Sequence, residues 1–361
     1  MSATLVDVVD TFAEAAELPA PPLLVTEPLT EYFDACGIGS GRLQWSRIGE
    51  GQSNVTYRIR RGDADVVLRR GPRPPIPKST HDMVREAKIQ IALGAQGVDV
   101  PRILQVCEDE SVLGVPFYIM DFVDGLVVTD ALPAILDERT DRQRFSEILV
   151  DQLASLHSVD VTVPDVAALG RPDGYLKRQV ALFSSLWDQN TTRSLPEVAR
   201  IGQWLEDNRP ETQRHSVVHG DYRAGNAMIK PDRPIEVAAI LDWEMSTLGD
   251  PLADLGYFTA TYADPKYPQT IMDLTPVTSQ DGFLDRAQMM QRYQEHTGLD
   301  LSALPWYQTL ALWKAAIFSE AIYTRWLSGE APAAGDFTGS LKQGVPLLLE
   351  SASAISKNLE R

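Results

Sequence analysis

Cysteine is scarce in this sequence, and long apolar runs are missing. The 361 residues include two cysteines, Cys36 and Cys107, and two distant thiols make neither a disulfide framework nor a zinc knuckle. No uninterrupted apolar run approaches the ~18 residues that cross a bilayer. The acidic start, MSATLVDVVDTFAEAAEL, lacks the basic segment and apolar core of a signal peptide. We therefore expect a cytoplasmic protein with reduced thiols and no membrane partner.

Motifs that define other enzyme classes are also missing. The sequence contains no G-x-x-x-x-G-K-[ST] phosphate loop and no G-x-S-x-G nucleophile elbow. His215 and His219 are four residues apart, but the residues between them are typical of a strand. A strand would separate the two imidazoles by ~13 Å, which argues against a shared zinc ion.

Charge is distributed unevenly along the chain. Residues 42–102 contain twelve Lys or Arg and six Asp or Glu, whereas the whole chain has a net charge of −17. This net charge argues against a nucleic-acid partner. The length suggests about two domains, and a basic segment before an acidic remainder suits one domain that holds phosphate. Chance clustering on a solvated surface is the alternative.

What the sequence does contain is an ordered set of polar residues between Val217 and Leu255. Two apolar residues lead into His-Gly-Asp, and Asn226 follows Asp221 by five positions. A polar turn then precedes a second apolar run, which ends at Asp242. The pattern predicts strand, loop, short strand, turn, strand and acid. Two acids and an amide at strand ends indicate a cation site; a polar turn with acids by chance is the alternative.

Phosphoryl transfer explains why such residues would converge. Two unit charges ~4 Å apart repel by about 4 kcal/mol at an effective dielectric near 20. Carboxylates that converge on an anionic nucleotide therefore need a divalent cation between them, and Mg²⁺ prefers one or two carboxylate or carbonyl oxygens with phosphate oxygens. One acid would remain to orient the attacking hydroxyl.

The motif H-G-D-x-x-x-x-N, followed by D-W-E, resembles the aminoglycoside-phosphotransferase-like (choline/aminoglycoside kinase-like) family of small-molecule kinases. It is their counterpart of the protein-kinase H-R-D-x-x-x-x-N and D-F-G motifs. The resemblance implies ATP as phosphate donor, Asp221 as catalytic base, and Asn226 and Asp242 as Mg²⁺ ligands.

The resemblance also implies an α+β, bilobal, protein-kinase-like fold. Its N-lobe would be small and mainly antiparallel β with one helix, and its C-lobe larger and mainly helical. We expect an N-terminal helix and connector at 1–30, an N-lobe that binds nucleotide phosphate at 31–121, and a C-lobe for catalysis, metal and substrate at 122–361.

The segment LQWSRIGEGQSNVTYRIR reads as a strand, a glycine turn and a second strand. Gly49 and Gly51 would let backbone N–H groups approach phosphate. The third glycine of the protein-kinase loop would fall at Asn54, so that pattern fails. The segment nonetheless resembles the loop of the small-molecule kinases, in which Ser53 and Asn54 would donate to phosphate. A plain hairpin turn is the alternative.

The next strand, DVVLRR, aligns with V-A-I-K of protein kinases. Strand alternation puts Val67 and Arg69 on one face, and the resemblance implies the adenine side for Val67 and the phosphate side for Arg69. We expect Arg70, on the other face, to be solvated. Arg stands where Lys is expected, so it either contacts phosphate or only holds Glu86. Glu86 belongs to a helix that we expect Thr80 to cap. By resemblance it is the acid that pairs with the strand cation Arg69, with an exposed Glu as the alternative.

Further site residues follow along the chain. In PFYIMDFVDG, Met120, Phe122 and Val123 would form a hinge against the adenine edge, with an ordinary buried edge strand as the alternative. By resemblance, Asp254 braces the catalytic-loop backbone without taking part in the chemistry. Glu320, on a long C-terminal helix, is expected to face the substrate cleft.

The resemblance implies that the phosphate acceptor is a small molecule with a hydroxyl group. An acidic C-lobe would attract cationic aminoglycosides or amino alcohols. The segments GRPDGYLKRQ and LDWEMSTLGDPLADL, however, resemble kinase-like domains joined to acyl-CoA dehydrogenases, which imply hydroxyacyl-CoA acceptors. The competing hypothesis is a degenerate kinase that binds nucleotide or a partner without turnover. Arg69 favours it, and the intact Asp221, Asn226 and Asp242 oppose it.

Overall fold

The computed structural model describes residues 6–49, 54–74, 81–329 and 335–357. The chain divides into two compact units, residues 1–124 and 125–361. In the described part of the chain, none of the helices is both long and apolar enough to cross a membrane.

The first unit is built on a five-stranded antiparallel sheet whose neighbouring strands are, in order, residues 44–48, 55–61, 64–70, 117–121 and 103–107. Its strands are β1 (Val8–Val9), β2 (Leu24–Val25), β3 (Gln44–Ile48), β4 (Val55–Arg61), β5 (Ala64–Arg70), β6 (Ile103–Cys107) and β7 (Phe117–Asp121). Its helices are α1 (Phe12–Ala16), α2 (Thr26–Cys36), α3 (Met83–Gly94) and α4 (Glu110–Leu113).

Both faces of this sheet are covered by helices. Side chains alternate between the faces of a strand, and Tyr57 and Ile59 of β4 pack in one buried cluster with Phe33 of α2. On the opposite face, Tyr118 of β7 packs against Met83 and Ala87 of α3. The sheet is therefore the centre of the first unit.

The N-terminal region is more ordered than the predicted helix and connector. A two-residue parallel pair, β1–β2, links the part that was expected to be helical to the connector that was expected to be irregular. Helix α2 begins at Thr26 and ends at Cys36, where Gly37 adopts φ +68 and its N–H bonds back to Asp34. Left-handed glycine is a common helix end because it has no Cβ to clash. The short helix α4 was not predicted.

The expectation that Arg70 is solvated is wrong. Its side chain is 1% exposed and donates to the backbone carbonyls of Leu23, Gly71 and Leu113. Burial lowers the pKa of its guanidinium to about 10. A guanidinium carries five N–H donors in a fixed fork, so several carbonyl oxygens can satisfy it away from water.

The start of α3 also differs from the prediction. Thr80, the predicted cap, lies outside the described residues. The helix begins at Met83, and the preceding Asp82 accepts a hydrogen bond of 2.9 Å from the Arg85 N–H. A carboxylate there satisfies one of the free N–H groups of the first turn.

The second unit is mainly helical. Its helices are α5 (Arg139–His157), α6 (Pro164–Ala167), α7 (Tyr175–Asn190), α8 (Pro196–Asp207), α9 (Leu252–Thr261), α10 (Arg286–Thr297), α11 (Leu304–Leu327) and α12 (Gly335–Ser356). Its strands are β8 (Leu126–Val127), β9 (Ser216–Val218), β10 (Ala227–Ile229), β11 (Val237–Ile240) and β12 (Thr247–Gly249). They form a three-stranded sheet, β11-β10-β8, and a two-stranded sheet, β12-β9.

Helix α11 is the core of this unit. Leu310, Trp313 and Ile317 follow one helical stripe and are buried, and the helix packs on α7, α8, α9 and α12. Glu320, which was expected to face a substrate cleft, is buried on this helix and paired with Arg193. The expectation is wrong because a buried carboxylate needs a cationic partner, and Arg193 supplies it.

Candidate active site

Strand β9 delivers the His-Gly-Asp loop. Gly220, the middle residue, has φ +88, and a Cβ there would lie 2.8 Å from both the Cβ and the carbonyl oxygen of Met245. Only glycine fits this turn without strain. Ser246 Oγ donates to the carbonyl of Val218 at 2.9 Å, so the end of β9 is bonded to the residue that follows Met245.

Asp254, in the first turn of α9, holds the backbone of this loop. Its Oδ2 accepts from the His219 N–H at 2.6 Å and its Oδ1 from the Gly220 N–H at 2.8 Å. His157 Nε2 lies 3.2 Å from the same Oδ2. Burial acts to raise the pKa of Asp254, but the bond to His157, the nearby charges and the Gly220 N–H outweigh it and lower the pKa. The contacts are those expected of Asp254.

The carboxylate of Asp221 is held from two sides. Tyr257 donates its hydroxyl to Oδ1 at 2.5 Å, and Asn226 donates Nδ2 to Oδ2 at 2.8 Å. Asn226 Nδ2 also reaches the Asp221 carbonyl at 2.8 Å, and Arg223 Nε lies 3.6 Å from Oδ2. The structure thus joins the predicted base directly to one predicted metal ligand.

The antiparallel pair β10–β11 brings Asp242 to the same region. Asn226 immediately precedes β10, and its carbonyl accepts from the Leu241 N–H at 2.8 Å. His219 Nε2 lies 2.9 Å from the Leu241 carbonyl oxygen. Asp242 is the next residue and adopts φ +66, a left-handed conformation that Asp tolerates better than most residues. Positive φ outside glycine is concentrated at functional turns.

The side chains around Asn226 suit a hard cation. Asn226 donates two hydrogen bonds through Nδ2, so its Oδ1 is the amide atom that would serve as an oxygen ligand, and the backbone bond to Leu241 ties it to the residue before Asp242. Within residues 6–49, 54–74, 81–329 and 335–357, no group of three or more His, Cys, Asp or Glu could hold a metal. Mg²⁺ usually keeps waters and takes phosphate oxygens besides one or two protein ligands. The pair therefore fits a cation that arrives with a nucleotide.

The predicted phosphate loop is described only in part. Gly49 has φ +73, and no described atom lies within 4 Å of where a Cβ would be, whereas Gly51 and Ser53 fall outside the described residues. Asn54 is 4% exposed, and its Oδ1 lies 2.8 Å from His81 Nδ1. A phosphate-binding role for these residues stays a prediction.

The shared face predicted for Val67 and Arg69 is seen in the strand register. Val67 pairs with Met120 and Arg69 with Tyr118, and directly opposed residues point to the same side of a sheet. Arg69 Nε lies 3.0 Å from Glu86 Oε1, so the predicted ion pair is present.

Additional hydrogen bonds support this buried ion pair. Glu86 is 2% exposed. Tyr118 donates to Glu86 Oε1 at 3.1 Å, and Gln90 donates to the Tyr118 hydroxyl at 3.1 Å. Such bonds offset the desolvation of a buried charge pair. The network places Arg69 firmly, while its contact with phosphate stays a prediction.

The predicted hinge residues lie at the end of β7, with Met120 inside the strand and Phe122 and Val123 directly after it. Phe122 and Val123 are partly buried, and the Arg58 guanidinium carbon lies 3.4 Å from the centroid of the Phe122 ring. A cation at this distance is attracted by the face of the ring. The adenine-binding roles of Met120, Phe122 and Val123 stay predictions.

Sequence reasoning missed Tyr257 and Arg223. Tyr257 is three residues after Asp254 on one helix, a spacing that places both side chains on one face. Arg223 is two residues after Asp221 in extended backbone, φ −156 and ψ 163, where alternate side chains share a side. Both spacings were visible in the sequence, but only the contacts identify their target.

Comparisons with known proteins identify the family of this chain. A model of the phosphotransferase enzyme family matches residues 44–274. Acyl-CoA dehydrogenase family member 10 of Mus musculus is 33% identical over 301 residues, which are 82% of this chain and 28% of that protein. The chain thus spans less than a third of the length of that relative.

Solved structures support the fold. A Ralstonia eutropha protein assigned as an aminoglycoside phosphotransferase has a TM-score of 0.76 at 28% identity, covering 91% of this chain and 98% of that one. A spectinomycin phosphotransferase in complex with ADP and spectinomycin has a TM-score of 0.56 at 13% identity, covering 90% and 97%. The predicted protein-kinase-like α+β fold is confirmed, and the chain belongs to the phosphotransferase enzyme family.

Proposed function

We propose that this protein transfers the γ-phosphate of ATP, with Mg²⁺, to a hydroxyl group of a small molecule. The observation that carries the proposal is the bonded unit of Asp221 and Asn226, to which the Leu241–Asn226 backbone bond ties Asp242. An aspartate, an amide and a second aspartate in these positions supply a hydroxyl-orienting group and oxygen ligands for a cation, the two requirements of phosphoryl transfer.

Asp221 accepts a hydrogen bond from the acceptor hydroxyl and turns its oxygen toward the γ-phosphorus. A carboxylate is a weak base at neutral pH, so it takes the proton late, as the new P–O bond forms and the bond to the ADP oxygen breaks. When bound, Mg²⁺ supplies positive charge to the phosphate oxygens, and Asn226 Oδ1 and Asp242 would hold it. Arg223, beside Asp221, offers a further cation for phosphate.

Nucleotide binding is assigned to the first unit. Gly49, Gly51, Ser53 and Asn54 would contact phosphate; Val67, Met120, Phe122 and Val123 would line the adenine. Arg69, positioned by the buried Glu86, would stand beside the phosphates in place of the usual lysine. The planar guanidinium of Arg69 can donate to Glu86 and to a phosphate oxygen at the same time, in fixed directions. The ammonium of a lysine has no such fixed geometry.

The acceptor we propose first is a hydroxyacyl thioester, and the second is an aminoglycoside or amino alcohol. The acyl-CoA dehydrogenase relative supports the first choice, and the spectinomycin enzyme supports the second. A nucleotide- or partner-binding protein without turnover is the competing function, and Arg69 in the lysine position favours it.

A panel of acceptors tests the proposal. We expect ADP release from Mg–ATP with one of three classes: hydroxyacyl-CoAs, aminoglycosides or choline-like alcohols. Asp221→Asn should lower turnover at least about 100-fold, the usual contribution of general-base catalysis, and should leave the Kd for ATP within about twofold.

The matched control is Asp232→Asn, an exposed acid in the turn between β10 and β11, which should keep parental turnover. Full activity of Asp221→Asn would refute the assigned role. Tight nucleotide binding with no ADP release across the panel would favour the protein without turnover.

A further inference from the structure

One face of helix α9 contacts three consecutive residues of the His-Gly-Asp loop. Asp254 accepts from the backbone N–H groups of His219 and Gly220. Tyr257, one turn further along, donates to the side chain of Asp221 at 2.5 Å. Residues three apart on a helix are neighbours on its surface, so the helix that fixes the backbone of the loop also fixes its carboxylate.

The packing of α9 determines where Tyr257 lies. The neighbouring Gly256 is in close contact with Tyr307 of α11, and a Cβ on Gly256 would be 2.5 Å from the Tyr307 Cβ. The Tyr307 hydroxyl donates to Asp250 Oδ2 at 2.9 Å, just before α9 begins. The helix is therefore held at its start and at the residue next to Tyr257.

Tyr257 acts only as a donor in this contact. Burial, and then the charge and hydrogen bond of Asp221, raise the pKa of its phenol well above the ordinary value. The phenol stays protonated, so its O–H points to Asp221 throughout the neutral range.

We propose that Tyr257 is a positioning residue for phosphoryl transfer, which holds the Asp221 carboxylate in the orientation that receives the acceptor hydroxyl. This inference rests on the proposed function. Each carboxylate oxygen offers two lone pairs; Tyr257 uses one on Oδ1 and Asn226 one on Oδ2. Rotation of the carboxylate would break both bonds, so the remaining lone pairs keep fixed directions for the incoming hydroxyl.

Without the phenol, the carboxylate loses the bond on Oδ1. The remaining contacts are both with Oδ2: Asn226 donates to it, and Arg223 Nε lies 3.6 Å from it. The carboxylate is therefore free to rotate toward Asn226 and Arg223. Misplacement of a reacting group by ~1 Å lowers rates by up to about 100-fold.

Tyr257→Phe keeps the ring and removes the hydroxyl. With Mg–ATP and whichever of 3-hydroxybutyryl-CoA, kanamycin or choline the parent phosphorylates, we expect kcat to fall about 10- to 100-fold. The KM for ATP should stay within about twofold, because the phenol contacts no group assigned to the nucleotide. If the phenol only stabilised the fold, Tyr257→Phe would lower the amount of folded enzyme. At equal concentrations of folded enzyme, kcat and KM would then both equal those of the parent.

The control is Tyr262→Phe at the end of the same helix. The Tyr262 hydroxyl is also buried, but it lies 3.3 Å from Ser146 Oγ. This variant should keep the parental kcat. Parental kcat in Tyr257→Phe, with Asp221→Asn inactive, would overturn the positioning role and leave the proposed function intact.

A second measurement does not depend on turnover. Urea unfolding of Asp221→Ala, Tyr257→Phe and the double variant forms a double-mutant cycle. If Tyr257 holds the carboxylate, the shift in midpoint of the double variant should differ clearly from the sum of the single shifts. Additive shifts would overturn the inference. A parent inactive on all three acceptors would count against the proposed function, and the cycle would still show whether Tyr257 holds Asp221.

Discussion

At the scale of single residues, the buried charges of this protein differ in how they are compensated. Arg70 is satisfied by backbone carbonyls, whereas Glu86 and Glu320 are each paired with an arginine. Breaking one partner of such a pair leaves a buried charge without compensation and is strongly destabilising. Lys314 is a different case, because its main partner is a neutral amide.

Lys314 should make stability depend on pH in the alkaline range. Burial lowers the pKa of its ammonium to about 8, and the negative charge of Asp254 partly opposes this shift. Its Nζ donates to Gln179 Oε1 at 2.7 Å and lies 4.7 Å from the centroid of the Phe183 ring. An unfolded lysine has a pKa of ~10.4, so between pH ~8 and ~10.4 the unfolded chain binds more protons. The free energy of unfolding therefore rises with pH across this window.

We expect Lys314→Met to remove this rise. Relative to the variant, the parent should gain about 1–2 kcal/mol between pH 8 and 10.4, less than the full shift implies because the side chain stays partly exposed. Urea unfolding at several pH values measures the difference. The exposed Lys177→Met reports the general effect of losing one positive charge. A parent-to-variant difference that is constant with pH would contradict the prediction.

At the scale of elements, close helix packing and strand pairing assemble the candidate site. Helix α9 holds the His-Gly-Asp loop through Asp254 and Tyr257, and the β10–β11 pair sets Asn226 beside Leu241. Helix α11 supports α9, because Tyr307 occupies the space that a side chain at position 256 would need. The position of α9 therefore depends on the absence of a side chain at Gly256.

Gly256→Ala should destabilise the protein and disturb the site. The added Cβ would lie 2.5 Å from the Tyr307 Cβ and 2.7 Å from its backbone carbon, so the helix must shift. Overpacking of this kind costs about 1–3 kcal/mol. Thermal unfolding measures the cost, and we expect turnover to fall because Tyr257 moves with the helix.

Gly339→Ala is the matched control. Gly339 lies within α12, and a Cβ there would meet nothing within 4 Å among the described atoms. Alanine is favoured over glycine inside a helix by about 1 kcal/mol, so this variant should be slightly more stable than the parent. An equal or greater loss in Gly339→Ala would show that the effect at 256 is not due to the contact with Tyr307.

At the scale of the whole molecule, the two units differ in composition and in the parts of the reaction assigned to them. The basic segment, residues 42–102, lies in the first unit, and the residues proposed as oxygen ligands and base, Asn226, Asp242 and Asp221, lie in the second. A chain with net charge −17 would repel a free nucleotide, so the cation that accompanies the nucleotide should matter strongly for binding.

Thermal unfolding of the intact chain should depend on Mg²⁺ only when nucleotide is present. At a concentration of Mg–ATP 100 times its Kd, we expect the free energy of unfolding to rise by about 2.7 kcal/mol, and EDTA should reverse this rise. Mg²⁺ alone should leave the midpoint unchanged, because two protein ligands hold Mg²⁺ weakly without phosphate. Stabilisation by ATP in EDTA equal to that by Mg–ATP would contradict the metal assignment.

The sequence by itself determined the order of the elements around the site and the polar residues at their ends. Apolar runs, glycines and polar turns are local patterns, so β4, β5, β9 and β11, and the positions of Asp221 and Asp242 after strands, could be predicted, with Asn226 in the chain between them. The pairing of Arg69 with Glu86 followed from a family resemblance.

Tertiary structure alone decided which partners these residues have. Tyr257 reaches Asp221 across 36 positions, Arg70 reaches Leu23 across 47, and Arg193 reaches Glu320 across 127. Contacts between residues so far apart arise from the packing of whole elements, which leaves no periodic trace in the sequence. For this reason the sequence did not predict that Arg70 is buried or that Glu320 is paired with Arg193. The contact of Tyr257 with Asp221 could be identified only from the fold.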